Sequence, residues 1–257
     1  MRKIKLISVE SWQKLNEKQL LAIATLMVKP QYEKSLVTKI FLKLNGLRIK
    51  PGFVISYTND GHTNKSYIFQ KNWKRKFTIG ANIFTSMVKK FDWIEGDITL
   101  FRCLGKIGRF NGSDYRLFGI TLEQFLFAEN LYNTFNSTRR LKHLRQLVAV
   151  FYHPKTEKFN SGKVARRSLR FLFTKQNRLF ATYLWYTAAK KWIMNKYPFV
   201  FSADTSAANI PPDESILNLL SALNQGDITR NETILKTHVH EALYQLNLMA
   251  EKVQNNV

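Results

Sequence analysis

Five histidines, one cysteine and eighteen carboxylates are the residues of this chain that could ligate a metal or move a proton. His238 and His240 stand two apart, which turns them to different faces of a helix, and Cys103 is far from both, so no metal-ligand spacing is present. His62, His143 and His153 are isolated, and surface or capping roles suffice for them. The closest acids, Asp92, Glu95 and Asp97 and the pair Asp213-Glu214, fall where turns and helix ends favour carboxylates anyway. Metal-dependent phosphodiester chemistry needs several carboxylates converging on Mg2+, and acids spread this thinly carry no such motif. Cys103 lies in the apolar stretch Ile98 to Leu104 without a local base, which favours a buried small hydrophobe over a nucleophile. The expectation is a protein without metal, without cofactor and without enzymatic activity.

Cations are the residues whose number and placement do point to a chemistry, that of binding anions. The formal net charge is +22, and it is unevenly placed: fifteen Lys or Arg and one acid, Glu157, lie between Asn130 and Ser202, against three bases and seven acids from Ala203 to Val257. The candidate binding set is Arg139, Arg140, Lys142 and Arg145 on one predicted helix, Lys163, Arg166, Arg167 and Arg170 on the next, then Lys175, Arg178, Lys190 and Lys191. Arg166 and Arg170, four apart, share a helical face. Such a surface attracts polyanions, and each phosphate it neutralised would add affinity through counterion release whatever the base sequence. Aromatic residues interleave with bases in Trp73-Lys-Arg-Lys-Phe77 and in Phe171 to Phe180, a pattern used for stacking on single strands. Phe180, Tyr183 and Leu184 stand at core spacing, however, which predicts burial for most of them and leaves Trp73 as the aromatic to test. Gly105, Gly108 and Gly112, with Lys106 and Arg109, do not match a phosphate-loop spacing and read as a hairpin loop.

The elements that must position these residues divide the chain into three. Residues 1–118 form a mixed α+β portion, beginning with strand-like alternation over Lys3 to Ile7. An Asn16…Gln19 capping box opens a helix bearing Leu20, Ile23, Ala24 and Met27, which Pro30 ends, and a second helix runs from Tyr32 to Leu44 before Asn45-Gly46. Phe53 to Tyr57 and Ser66 to Phe69 predict an antiparallel hairpin about Asn59-Asp60-Gly61. Thr78 is placed as the cap of a helix from Ile79 to Phe91, and Ile98 to Leu104 and Tyr115 to Phe118 as short strands.

Residues 119–202 form a basic helical body. Its first helix opens on the capping box Thr121-Leu-Glu-Gln124, with Phe125, Ala128, Leu131, Tyr132 and Phe135 inward. Thr138 caps the next helix through Phe151; a basic helix then runs from Ser161 or Gly162 to Phe173, and another from Lys175 to Asn195. Residues 203–257 comprise a small-residue and proline linker to Asp213 and an acidic helical segment, with helices at Glu214 to Leu223 and Thr229 to Leu235. Its last helix, capped by Thr237, carries Val239, Ala242, Leu243, Leu246, Met249, Ala250 and Val253 on one face. The fold class is thus mainly α (α+β): a mixed N-terminal portion with a short hairpin, a multi-helix body and a C-terminal helix. Met1 to Ile7 lacks the apolar run of a signal peptide, and no stretch is apolar for long enough to span a bilayer.

The layout resembles a family on particular stretches. These are Ser11-Trp12-Gln-Lys-Leu15 with Gln19-Leu-Leu-Ala22, Ile120-Thr-Leu-Glu-Gln-Phe125 with Ala128-Glu129 and Tyr132, Leu147-Val-Ala-Val-Phe-Tyr152, and Gly226-Asp-Ile-Thr-Arg-Asn231 to Leu243-Tyr-Gln-Leu246. They are similar to uncharacterised structural or tail-assembly proteins of tailed bacteriophages and prophages of the Bacteroides group. That resemblance implies a non-enzymatic virion or tail-assembly protein working through protein contacts in the host cytoplasm during assembly, and in the virion. Its partners would be other phage structural or assembly proteins and further copies of itself, the cationic middle of one copy meeting the acidic tail of the next. A sequence-nonspecific DNA- or RNA-binding protein using the basic helices between 139 and 191 is the alternative that the charge supports. No membrane partner is expected.

Overall fold

The computed structural model describes residues 6–27, 36–57, 63–71, 75–113, 115–154, 157–201, 221, 223–224 and 227–255. They belong to two compact units, Met1–Thr99 and Leu100–Val257. The architecture is mainly helical with a small antiparallel sheet, as the sequence predicts. The first division comes at Thr99 rather than at 118, and the acidic tail is no separate unit.

In the N-terminal unit, α1 (Glu17–Met27) opens as predicted: the Asn16 amide donates to Gln19 Oε1, and the Gln19 amide to Asn16 Oδ1, both at 2.9 Å. It packs on α2 (Leu36–Asn45), which Gly46 ends at φ 62, a conformation open to glycine without a Cβ clash. Three antiparallel strands follow: β1 (Leu47–Tyr57), β2 (Thr63–Lys71) and β3 (Arg75–Gly80). The β1–β2 register slips between Ile49 and Phe53, where Pro51 lacks an N–H and Gly52 takes φ 99, so the strand bulges instead of breaking. The predicted turn at 59–61 lies outside the described residues, as do Pro30, His62 and Trp73. Thr78 pairs with Ile68 inside β3, and α3 (Ala81–Lys89) begins two residues later than predicted. Phe77 and Ile79 alternate in burial with exposed Lys76 and Thr78, a strand period that the helical reading overrode. Phe41, Phe69, Phe84 and Phe91 close the core edge to face or tilted, their neighbouring centroids 5.1–5.8 Å apart.

The second unit starts with an extended segment where a strand was expected, because its polar groups find other partners. The Phe101 carbonyl accepts from the Arg116 amide (3.3 Å) and Trp185 Nε1 (3.4 Å), and the Leu104 carbonyl from the Tyr152 hydroxyl (2.8 Å). The strands form inside the glycine-rich connection instead: β4 (Lys106–Ile107) and β5 (Phe110–Asn111) flank Gly108 at φ 59, a two-residue hairpin with glycine first in the turn. Residues 115–117 are a 3-10 turn, not a strand.

Helices α4 (Leu122–Thr138), α5 (Leu141–Phe151), α6 (Val164–Ser168) and α7 (Gln176–Lys196) make the body. Thr121 caps α4, its Oγ1 accepting from the Gln124 amide at 3.2 Å. The box is not reciprocal, since the Gln124 side chain is buried and donates to the Val150 carbonyl at 2.8 Å, tying α4 to α5. Thr138 ends α4 instead of capping α5; its hydroxyl bonds the Thr134 carbonyl, and Arg139 turns the chain at φ 53. Every residue from Leu147 to Tyr152 is 0–2% exposed, so the C-terminal half of α5 is enclosed on all sides. The predicted basic helix of 161–173 is helical from Ser161 to Phe171 but not α throughout: 3-10 turns at Ser161–Lys163 and Leu169–Phe171 flank the five residues of α6.

After α8 (Pro198–Phe201) the predicted linker and its helix from Glu214 fall largely outside the described residues. Beyond α9 (Asn231–Lys236) the final helix, α10 (Val239–Asn255), buries Val239, Ala242, Leu243 and Leu246 against α8 and α4. Thr237 closes α9 through a bond to the Thr233 carbonyl, not α10. The first half of the predicted apolar face is therefore covered in cis, whereas Val253 is 66% exposed, and a chain cut at Ser202 would lose part of its own core.

Candidate acidic-partner interface

Three successive helix starts in the second unit carry bases where the backbone dipole favours acids. Arg140 and Lys142 stand at the N-terminus of α5, Lys163 at that of α6, and Lys175 and Arg178 at that of α7, and none of these first turns holds an acid. Each cation placed so costs about 0.3–1 kcal/mol at a surface. An anion on the outside would reverse that cost.

Arg167, Lys163, Lys190 and Arg178 make ion pairs or hydrogen bonds within the unit. Arg167 is 4% exposed; its Nη1 donates to the Ala149 carbonyl (3.2 Å) and its Nη2 lies 3.2 Å from Glu157 Oε2. Lys163 meets the same carboxylate at 3.1 Å, and these two cations, Lys163 foremost, hold the Glu157 carboxyl below its ordinary range. Lys190 pairs with Glu129 and sits 5.2 Å above the Tyr132 ring. Arg178 donates to the Lys106 carbonyl at 3.1 Å. Arg167 and Lys190 thus leave the predicted surface: the only acid of the basic stretch, and one just before it, draw them inward.

Glu129 also accepts from the Tyr186 hydroxyl at 2.7 Å, in a polar seam between α4 and α7. Tyr132 stacks on Tyr183 at 5.2 Å, and burial pushes the Tyr183 hydroxyl up to about 12 and that of Tyr186 well above its ordinary value. Both phenols therefore stay protonated donors near neutral pH.

The exposed set comprises Arg139, Arg140, Lys142, Arg166, Arg170, Lys175 and Lys191, with Arg145 half-buried. Among the described residues no ion pair reaches Arg140, Lys142, Arg145, Arg166, Arg170 or Lys175. Arg166 and Arg170 do not share a face. The 3-10 turn after Ser168 rotates Arg170 toward the Phe110 ring (5.6 Å), which Arg109 also approaches at 5.3 Å, while Arg166 joins Lys142 and Arg145 around a groove. Sequence reasoning missed the apolar residues here: Leu169 is 59%, Leu172 47% and Phe173 99% exposed.

Among the described residues no three of His, Cys, Asp and Glu are placed to hold a metal. Nε2 of His240 hydrogen-bonds the Arg116 carbonyl (3.0 Å) and its Nδ1 faces the Tyr197 hydroxyl (3.1 Å). Burial holds His240 below its ordinary pKa; the Arg116 carbonyl pulls the other way and Lys196 adds to the depression. Cys103 is partly buried, its thiol donating to the Ser113 carbonyl at 3.1 Å. A separate depression of about 630 Å3 mixes Glu123 and Glu157 with His153, Lys158 and Lys236, and its acid Glu157 is already neutralised from behind by Arg167. No family model, curated protein or solved structure matches this chain.

Proposed function

We propose that this is a non-enzymatic binding protein, a phage-derived virion or tail-assembly component that engages acidic protein surfaces through the cationic face of its helical unit. The observation that carries the reading is the set of six cations, Arg140, Lys142, Arg145, Arg166, Arg170 and Lys175, without ion pairs among the described residues and interspersed with exposed Leu169, Leu172 and Phe173. Protein interfaces combine an apolar centre with a polar rim, and arginine is enriched in them. Placement in phage assembly rests on the family resemblance of the sequence alone.

Cross-linking from Lys142 and Lys175 in native assemblies tests this. Links to Asp- and Glu-rich segments of another protein are expected, and their loss when the six cations become Gln. Binding to nucleic acid is the second reading, favoured by the number of free cations. A steep log-log dependence of DNA affinity on salt, shrinking in the six-Gln variant, with no protein cross-links, would transfer the function to it.

A further inference from the structure

We infer that the groove between α5 and α6 is the docking site for an amphipathic acidic helix of a partner protein. The inference rests on the proposed engagement of acidic protein surfaces and names where and in what form the partner binds. The groove encloses about 530 Å3, within the range of built ligand sites. Lys142 and Arg145 rise from α5 on one side and Arg166 from α6 on the other, while Ala165, Leu169 and Leu172 supply an apolar lining. No carboxylate lines it, so three cations face one concavity uncompensated.

The chemistry of the lining chooses among anions. Exposed leucines gain by contact with apolar groups and make no hydrogen bond to phosphate, so a purely ionic ligand would leave Leu169 and Leu172 in water. Aliphatic residues offer no ring for base stacking, which disfavours single-stranded nucleic acid at this position. A lipid surface would meet a protruding face, whereas these side chains border a hollow. A helix with Leu or Ile at i, i+3, i+4 and i+7 and Asp or Glu beside them fits both features: its apolar stripe fills the groove, and its carboxylates reach Lys142, Arg145 and Arg166.

The test uses the full chain and fluorescein-labelled synthetic peptides read by anisotropy. One peptide carries the Leu stripe among Glu residues; a second has the same composition scrambled; a third is the stripe peptide with Lys for Glu. A single-stranded DNA oligonucleotide and phosphatidylserine vesicles serve as rival ligands. The stripe peptide is expected to bind at least about tenfold more tightly than the scrambled one, the scale of a hot-spot contact. The double change Leu169→Gln and Leu172→Gln removes that advantage but leaves weak, salt-sensitive binding of both. The double change Arg145→Glu and Arg166→Glu abolishes binding of the Glu peptide and allows the Lys peptide to bind. Because Leu169, Leu172 and Arg166 are exposed and Arg145 is half-buried without an ion pair among the described residues, circular dichroism is expected to be unchanged. Equal affinity for stripe and scrambled peptides would overturn the groove while leaving the cationic face as a binding surface. If neither peptide binds but DNA or vesicles do, the groove and the acidic-protein reading fall together.

Discussion

Two adjacent arginines separate structure from binding. Arg167 is buried against Glu157 and the Ala149 carbonyl, so Arg167→Ala leaves an acceptor without its donor and a half-exposed carboxylate with Lys163 alone. A loss of about 2–3 kcal/mol is expected in urea denaturation, below the cost of breaking a fully buried pair because water still reaches Glu157. Arg166→Ala, exposed and without an ion pair among the described residues, should change stability by less than about 0.5 kcal/mol. No rule of spacing distinguishes 166 from 167; which one turns inward depends on where α5 presents a carbonyl. His240 sets a pH dependence. Since its folded pKa is depressed below the ordinary 6.5, its contribution is complete above that value and is lost as pH falls through the folded pKa. Melting temperature should therefore decline on acidification below about pH 6.5, and the part due to this residue should vanish in His240→Asn, measured by subtracting the two profiles.

Among the elements, the hairpin of β4 and β5 is followed by a glycine that the sequence presents as one of three in a hairpin loop. A Cβ on Gly112 would stand 2.5 Å from both Cys103 Sγ and the Leu104 carbonyl oxygen and 3.2 Å from the Tyr152 ring. Gly112→Ala is accordingly expected to cost about 1–3 kcal/mol by overpacking, with a lowered urea midpoint as the readout. At Gly105 a Cβ would meet nothing, so Gly105→Ala serves as the control. Local signals located elements well where caps and apolar stripes agreed, as at Asn16 and Thr121. They misplaced boundaries where one residue suited two roles: Thr78 and Thr138 are good caps by type, yet one pairs in β3 and the other back-bonds within α4.

For the whole molecule, a charge of +22 with clustered cations at three helix starts means that folding concentrates repulsion. Moderate salt should raise the melting temperature by screening it, the reverse of a fold held by surface ion pairs; a fall between low and about 0.15 M salt would contradict this. The sequence by itself determined the mainly helical class, the small sheet, most helix positions and the uneven charge, because period, caps and composition are local properties carried by neighbouring residues. Tertiary structure alone decided which bases face outward, that the last helix packs in cis, and that Leu169, Leu172 and Phe173 are exposed beside Arg166. Those outcomes depend on partners distant along the chain, such as Ala149 for Arg167 and Glu129 for Lys190.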